Sequence, residues 1–387
     1  MPVINRISGF AEDMKDWRRH LHKHPELALD CQQTAAFVVD RLQEFGVDEV
    51  HPGWAKSGVV AVIHGKGKGP VTGLRADMDA LPMQEKTGLD WASAVDGRMH
   101  ACGHDGHTTM LLGAARYLTE TRNFTGRVVL IFQPAEEMIG GGQIMVEEGM
   151  MAHFGIEEVY ALHTDPLNDL GMFTTRAGGI MAAVDDWTIT VKGVGGHAAY
   201  PHDCVDPIPA ALAIGQGLQS IVARNVSANE ALVVSLTQIH AGSASNVVPG
   251  VAMLSGTTRS FSDAIRDMAE ERIKAVANAQ AAAFGVDVHV DYERYYPATV
   301  NHGAQVSKAA AIAAEISGEN RIDTGIEPHM GAEDFSFMLE ERPGAYLFLG
   351  QGKGHSVHHP KFDFNDEAAP IGASFFARLI ENLHPIV

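Results

Sequence analysis

Apolar runs that lead directly into metal-binding side chains are the feature that most constrains the fold of this sequence. The side chains are Cys102 and His104 in HACGHDGH, Glu136 and Glu137 in PAEE, His163 in YALHTDP, and His358 and His359 before Pro360. The runs at residues 128–132 and 159–162 are typical of strands in an open α/β sheet, which binds ligands beyond the carboxyl ends of its strands. The sequence therefore predicts a polynuclear metal site at a sheet edge.

Composition excludes several classes of partner. With 387 residues and 45% hydrophobic content, the chain is expected to form a globular protein of two domains. Its 29 Lys and Arg against 48 Asp and Glu give a net charge of -19, which argues against nucleic acid or an anionic membrane as partner. No apolar stretch approaches the roughly 20 residues of a membrane span, and the amphipathic first residues do not resemble a secretory signal. Three scattered cysteines indicate reduced thiols, so we expect a cytoplasmic protein.

The order of helix and strand patterns predicts an α/β fold with an insertion. A helix at 13–23 must end before Pro25, a strand is expected at 71–75, and a helix at 108–119. After Val184 the pattern changes to a smaller α+β unit. Its expected strands are 187–191, 232–236, 253–257 and 286–292, and its expected helices are 207–221 and 263–284. We therefore predict a discontinuous larger domain, 1–182 and 296–387, with a mostly parallel central sheet, and an inserted domain at 183–295.

The Cys102 segment has both a functional and a structural interpretation. In an extended segment, Cys102 and His104 would point to one face and could share a metal. The alternative is a buried cysteine beside a structural histidine. Glycines at 103 and 106 predict a tight turn, and the density of polar groups favours the metal site. Asp105 and His107 are then candidates to orient a liganding imidazole or to cap the following helix.

Glu136 and Glu137 are expected to take two different chemical roles. One carboxylate would bind metal while the other stays free as a general base for the attacking water. The alternative is two solvated surface glutamates. His163 and His358, taken alone, fit a core histidine and a polar loop respectively. Asp77 and Asp79 are candidates either to bind metal or to hold a liganding histidine by its second nitrogen.

Taken together, the motifs resemble a known family over essentially the whole chain. They are LRADMDALPM, HACGHDGHTTMLLGAA, FQPAEE, ALH, KGVGGHAAYPHDCVDPI, SNVVPG, MGAEDFSF and HHPKFDFNDEA. They are similar to the aminoacylase, hippurate hydrolase and indole-acetyl-amino-acid hydrolase family. The resemblance implies a dinuclear metallo-amidohydrolase with a catalytic α/β domain and an inserted dimerisation, or lid, domain. By the same resemblance the metal ligands are Cys102, His104, Glu137, His163 and His358, with Cys102 bridging the two metals and Glu136 as the base.

The sequence departs from the wider superfamily at two places that bear on the metal. Asp77-Met78-Asp79 replaces a His-x-Asp pattern, and Cys102 replaces an aspartate. A thiolate favours borderline ions such as zinc, whereas imidazole and carboxylate accept manganese, nickel or cobalt. Two divalent ions per subunit are therefore expected, with zinc, manganese, nickel and cobalt as candidates. The resemblance also implies a Leu-His-x-Pro spacing, which selects His358, two residues before Pro360, over His359.

The resemblance also assigns roles in the inserted domain. His197 in GGHAA matches a histidine that reaches the partner subunit's site to stabilise the oxyanion, which implies a homodimer, or a tetramer, assembled through this domain. Asn246 and Arg259 match positions that face the substrate, and a guanidinium suits the free carboxylate of an N-acyl amino acid. The structural alternatives are a turn histidine in a glycine-rich hairpin and an arginine paired with an acidic neighbour.

The resemblance implies hydrolysis of N-acyl amino acids, hippurate-like or N-acetylated, to a carboxylic acid and a free amino acid. N-acetyl-diaminopimelate deacetylase and small-peptide carboxypeptidase activities fit the same core. Two rivals belong to other classes: a cysteine hydrolase with Cys102 as nucleophile and His104 as base, and a non-enzymatic protein that binds metal or peptide.

Overall fold

The computed structural model describes residues 3–386, which divide into two compact units. The larger contains the described parts of 1–180, 300–327 and 334–387, and the smaller contains 181–299 and 328–333. The predicted bounds differ from these at residues 181–182, 296–299 and 328–333, which were all expected in the larger domain. The segment 328–333 is the one furthest from the predicted insertion. It groups with the smaller unit because the amide of Ala182 lies 3.1 Å from the carbonyl oxygen of His329 and 2.9 Å from that of Gly331.

An eight-stranded sheet forms the centre of the larger unit, in the order β1-β2-β4-β3-β5-β16-β6-β15. Its strands are β1 (Glu49–Trp54), β2 (Gly58–His64), β3 (Val71–Asp77), β4 (Arg127–Gln133), β5 (Glu158–Asp165), β6 (Phe173–Thr174), β15 (Ile322–Asp323) and β16 (Gly344–Gly350). The four consecutive strands β4, β3, β5 and β16 are all parallel. Their residues are almost all buried, as expected for strands covered on both faces. The predicted α/β class with a mostly parallel core is confirmed.

Helices cover this sheet. They are α1 (Asn5–Ser8), α2 (Ala11–Lys23), α3 (Gln32–Phe45), α4 (His104–Thr121), α5 (Gly141–Glu147), α6 (Met150–Phe154), α10 (Gly303–Ser317), α11 (Ser336–Glu341) and α12 (Ala369–Leu383). As predicted, α2 ends before Pro25. Helix α4 lies almost wholly in the core, with Met110, Leu111 and Leu112 fully buried.

The smaller unit is built on an antiparallel four-stranded sheet in the order β10-β12-β8-β13. Its elements are β8 (Ala183–Lys192), β9 (Gly196–His197), α7 (Pro207–Leu218), α8 (Ser220–Asn225), β10 (Leu232–Ala241), β11 (Val247–Val248), β12 (Val251–Ser260), α9 (Asp263–Phe284) and β13 (Asp287–Arg294). The short strands β7 (Gly178–Met181) and β14 (Thr299–Asn301) each include the residue pair at which the chain passes from one unit to the other. The single helix predicted at 207–221 is two helices, since α7 ends at Leu218 and α8 begins at Ser220. Asp206 caps α7 through the amide of Ile208, and Ser262 caps α9.

Among the described residues, no helix is both long enough and apolar enough to cross a lipid bilayer.

Candidate metal centre

The carboxyl ends of the parallel strands bring the predicted residues to one edge of the sheet. Strand β3 ends at Asp77, and β4 ends three residues before Glu136. His163 lies within β5 rather than after it, and β16 leads into the loop that carries His358. Because these strands are adjacent and parallel, their ends lie side by side.

Cys102 and His104 are placed by a sharp turn into α4, not by an extended segment. Gly103 has φ +93°, a left-handed conformation that favours glycine, and α4 begins at His104. A Cβ at Gly103 would also lie 2.6 Å from the methyl carbon of Thr164. The expectation of an extended Cys-Gly-His segment is therefore wrong. Gly106 lies inside the first turn of α4, where its missing side chain leaves room for the Phe364 ring.

The five residues expected to bind metal form one continuous cluster. Cys102 Sγ lies 3.3 Å from His163 Nε2, and Glu137 Oε1 lies 3.2 Å from His358 Nε2 and 3.9 Å from His104 Nε2. The possible ligand atoms of Cys102, His104 and His163 all lie within 4.8 Å of one another, as do those of Cys102, Glu137 and His358. These two groups share Cys102. The described residues therefore include donors suited to a pair of ions with one thiol between them.

The structure separates His358 from its neighbour. His358 has φ +63°, and its amide donates to the carbonyl of Ala101 at 2.7 Å, which holds this exposed residue beside Cys102. His359 instead stacks on His355, with ring centroids 4.3 Å apart. The imidazole that joins the cluster is thus that of His358.

Asp79 fixes the turn that presents the two glutamates. Its carboxylate accepts the amides of Glu136 at 3.0 Å and Glu137 at 3.1 Å, just after Ala135 adopts φ +59°. The backbone carbonyl of Asp79 also lies 2.8 Å from Nδ1 of His104, which fixes the orientation of that ring. Glu136 is buried, and its carboxylate lies within 4.8 Å of the possible ligand atoms of His104 and Glu137.

Asp77 is occupied by two hydrogen bonds. It accepts from the Arg75 guanidinium at 2.6 Å and from His107 Nδ1 at 2.6 Å. Because the amide of Thr164 donates to His107 Nε2 at 2.8 Å, the proton of the neutral ring must sit on Nδ1. His107 therefore has both nitrogens engaged and braces Asp77 against the backbone beside His163. Sequence reasoning missed Arg75, although a charge inside the apolar run VTGLRAD was the signal available.

Asp105 does not orient a predicted ligand. Its carboxylate is 2.7 Å from Nδ1 of the fully buried His22 and accepts the amide of Gly106 at 2.9 Å. Of the two roles expected for Asp105, the first is replaced by a contact with His22 on α2 that sequence reasoning did not anticipate.

The electrostatics of the cluster favour cations. Burial, reinforced by Glu137 and Glu136, raises the pKa of the Cys102 thiol well above its usual value. Burial acts against the charged form of His104, but Asp77, Asp79 and Glu137 prevail and raise its pKa to about 10. Among the described residues, His104 Nε2 is buried without a hydrogen-bond partner, and Glu137 Oε1 has His358 Nε2 at 3.2 Å. Since unsatisfied buried polar atoms are costly, this arrangement of nitrogen, sulfur and oxygen donors fits divalent metal ions.

The remaining predicted site residues lie on the smaller unit. His197 is exposed on β9, opposite Val247 of β11, and Nδ1 of its ring accepts the amide of Ala199 at 3.1 Å. The carbonyl of Asn246 accepts the amide of Ala198 at 3.0 Å, so Asn246 and His197 are neighbours. Half-buried Arg259 on β12 donates to the carbonyl of Thr258 at 2.8 Å rather than to an acidic side chain.

A sequence profile of peptidase family M20/M25/M40 matches residues 73–382. The chain belongs to this family. Membership of the M20 family makes the protein a hydrolase acting on amide bonds, which confirms the predicted enzyme class.

Individual members of the M20 family are similar to this chain over nearly its full length. An N-acetylcysteine deacetylase of Bacillus subtilis is 38% identical, covering 96% of this chain and 97% of that protein. A hippurate hydrolase of Campylobacter jejuni is 38% identical, covering 98% of both. The crystal structure of the Bacillus subtilis YXEP protein, a dinuclear metal-binding M20 peptidase, is 34% identical with a TM-score of 0.85, covering 96% of this chain and 98% of that one. The resemblance found from the motifs is confirmed.

Proposed function

We propose that this M20-family protein is a metal-dependent amidohydrolase that cleaves N-acyl amino acids to a carboxylic acid and a free amino acid. The observation that carries the proposal is the pair of donor groups that share Cys102, with the buried carboxylate of Glu136 beside them. The similarity to an N-acetylcysteine deacetylase and a hippurate hydrolase supports this substrate class.

In this proposal Cys102, His104, Glu137, His163 and His358 hold two divalent ions, with zinc, manganese, nickel and cobalt as candidates. The ions would supply Lewis-acid polarisation of the amide carbonyl and activation of water near neutral pH. To bind, Cys102 must lose its proton and His104 must be neutral, so the raised pKa values of both imply that metal binding releases protons.

Glu136 acts as the proton shuttle in this proposal. It accepts a proton from the attacking water and delivers it to the leaving amine, so that one carboxylate serves as base and then as acid. The hydrogen bond from its amide to Asp79 holds the turn that aims its side chain into the cluster. In this proposal Asp79 and Asp77 are not metal ligands and instead support the residues around them.

We infer further roles for the smaller unit. His197 would stabilise the tetrahedral oxyanion in the active site of a partner subunit, and Arg259 with Asn246 would bind the free carboxylate of the substrate. This arrangement requires a homodimer.

The cysteines Cys31, Cys102 and Cys204 are free, which supports a reducing, cytoplasmic location.

A cysteine hydrolase is disfavoured by the state of its would-be nucleophile. Reactive cysteines have a lowered pKa, whereas burial and Glu137 raise that of Cys102. A non-enzymatic binding protein would have no use for Glu136. N-acetyl-diaminopimelate deacetylase and small-peptide carboxypeptidase activities use the same catalytic groups, so a substrate screen must separate them from the main proposal.

Replacing the base tests the proposal directly. Glu136→Gln keeps the size of the side chain but cannot accept the proton, so kcat for N-acetyl and N-benzoyl amino acids should fall about 100-fold or more. The bound metal, measured by inductively coupled plasma mass spectrometry, should stay unchanged. Glu147→Gln on the exposed face of α5 is the matched control and should behave as wild type.

Two outcomes would contradict the proposal. Hydrolysis that survives exhaustive EDTA treatment would exclude a metal mechanism, since chelation should abolish activity and zinc or manganese should restore it. A Glu136→Gln protein with full turnover would show that Glu136 is not the general base. Activity on N-acetyl-diaminopimelate or dipeptides alone would favour the alternative substrates.

A further inference from the structure

Helix α2 carries two charged side chains in the protein interior. Arg18 is 1% exposed and His22 is fully buried. Burying an ionic group costs several kcal/mol unless it is paired and hydrogen-bonded. The groups that pair with Arg18 and His22 therefore indicate which parts of the structure these two side chains stabilise. Those partners lie in the segments on either side of Cys102, including the first turn of α4, and in the segment that follows His358.

Arg18 holds the segment that contains His358. Its Nε donates to Asp366 at 2.6 Å and its Nη1 to Asp363 at 2.8 Å. The adjacent Asn365 donates to the carbonyl of Gln351 at 2.7 Å, which closes the loop from the end of β16 at its base. Arg18 therefore clamps the foot of the loop whose tip carries His358.

His22 holds the start of α4 and the segment before Cys102. Its Nδ1 lies 2.7 Å from Asp105, the residue directly after His104, and its Nε2 lies 3.4 Å from Glu85. Glu85 in turn accepts the amide of Ser93 at 2.6 Å. His22 thus ties the first turn of α4 to the long connection between β3 and α4.

Asp105 joins the two halves of this network. It lies 3.8 Å from Arg18 Nη1 as well as 2.7 Å from His22, so one buried carboxylate is shared by both side chains of α2. Through Asp105, a displacement of the His358 loop would also shift the helix terminus that carries His104.

We propose that Arg18 and His22 are positioning residues that hold Cys102, His104 and His358 in place for metal binding. The inference rests on the proposed function, because it assigns these three as ligands. Cys102 and His358 lie outside strands and helices, so their geometry has to come from tertiary contacts. Groups that orient metal ligands typically contribute about 10- to 100-fold to metal affinity.

The test uses the full-length protein stripped of metal and titrated with Co²⁺ against a chromophoric chelator. Arg18→Lys keeps the charge but cannot bridge Asp363 and Asp366, and we expect it to bind Co²⁺ about 10- to 100-fold more weakly. The near-ultraviolet thiolate-to-cobalt charge-transfer band of Cys102 should also shift or weaken. Arg266→Lys is the matched control, since Arg266 forms a buried pair with Asp185 in the smaller unit and should lose stability without changing the band.

Substitutions at His22 keep the test decisive if Arg18→Lys does not fold. His22→Asn retains a donor near the position of Nδ1 and can keep the bond to Asp105, whereas His22→Gln places its amide near Nε2 and loses that bond. His22→Gln should therefore weaken Co²⁺ binding more than His22→Asn. Folded Arg18 and His22 variants with the Co²⁺ affinity and the charge-transfer band of the wild type would overturn this inference but leave the proposed metal centre standing. A wild-type protein without a thiolate band would overturn the proposed metal centre and this inference with it.

Discussion

At the scale of single residues, the centre is defined by which polar atoms already have partners. His107 uses both ring nitrogens in hydrogen bonds, whereas Asp77 accepts one hydrogen bond from Arg75 and one from His107. Among the described residues, His104 Nε2 is buried and has no hydrogen-bond partner. Residue type alone does not show which of these histidines and carboxylates have hydrogen-bond partners, because those partners come from other parts of the chain.

His22 leads to a prediction about pH. Burial opposes its charge, but hydrogen bonds to Asp105 and Glu85 outweigh burial and raise its pKa from 6.5 to about 9, with the Arg18 charge acting against them. Its protonated form thus stabilises the folded state fully below pH 6.5, and that contribution is lost as the pH rises through about 9. The stability difference between wild type and His22→Gln should therefore shrink over this range.

Urea denaturation of the metal-free proteins at several pH values measures this difference. His240→Gln, at an exposed position on β10, is the control because it removes no buried group. A gap between wild type and His22→Gln that is constant or widens with rising pH would exclude a charged His22 in the folded protein.

At the scale of elements, α4 couples the core to the centre. The sequence predicts its apolar body, but the helix begins four residues earlier than expected, at His104, because Gly103 supplies the left-handed turn. The spacing of apolar residues does not report such a start, since the first turn is polar and its packing partner Phe364 lies about 260 residues away in the chain.

Gly106→Ala tests the packing of this first turn. A Cβ at Gly106 would lie 2.3 Å from ring carbons of the fully buried Phe364. Alanine favours a helix over glycine by about 1 kcal/mol, but overpacking a core costs about 1–3 kcal/mol, so we expect a net loss of stability and weaker metal binding. Thermal denaturation should show it, whereas Gly354→Ala, which meets no atom within 4 Å, should be nearly neutral. A stabilised Gly106→Ala protein would contradict the close contact.

At the scale of the whole molecule, the proposed dimer makes a prediction about mixtures. His197→Ala alone should lower kcat about 100-fold or more, as expected for loss of an oxyanion donor. If His197 serves the partner's site, exchanging subunits between inactive Glu136→Gln and His197→Ala proteins should restore part of the activity, because each mixed dimer then has one site with both groups intact.

The control replaces the Glu136→Gln partner with a chain that carries both substitutions, which cannot supply an intact His197. Activity assays after subunit exchange, with light scattering to measure the assembly, compare the two mixtures. Equal activity in both would mean that His197 does not act between subunits.

The sequence by itself determined the fold class, the family and the five side chains that the structure brings together at the edge of the sheet. Apolar runs and the side chains that follow them are local, and their joint order along the chain is highly specific. Only the tertiary structure decided that Asp77 is held by Arg75 and His107 and that Asp105 turns to His22 on α2. These contacts are hydrogen bonds between residues that lie 2, 30 and 83 positions apart, and their energies depend on burial that no local pattern contains.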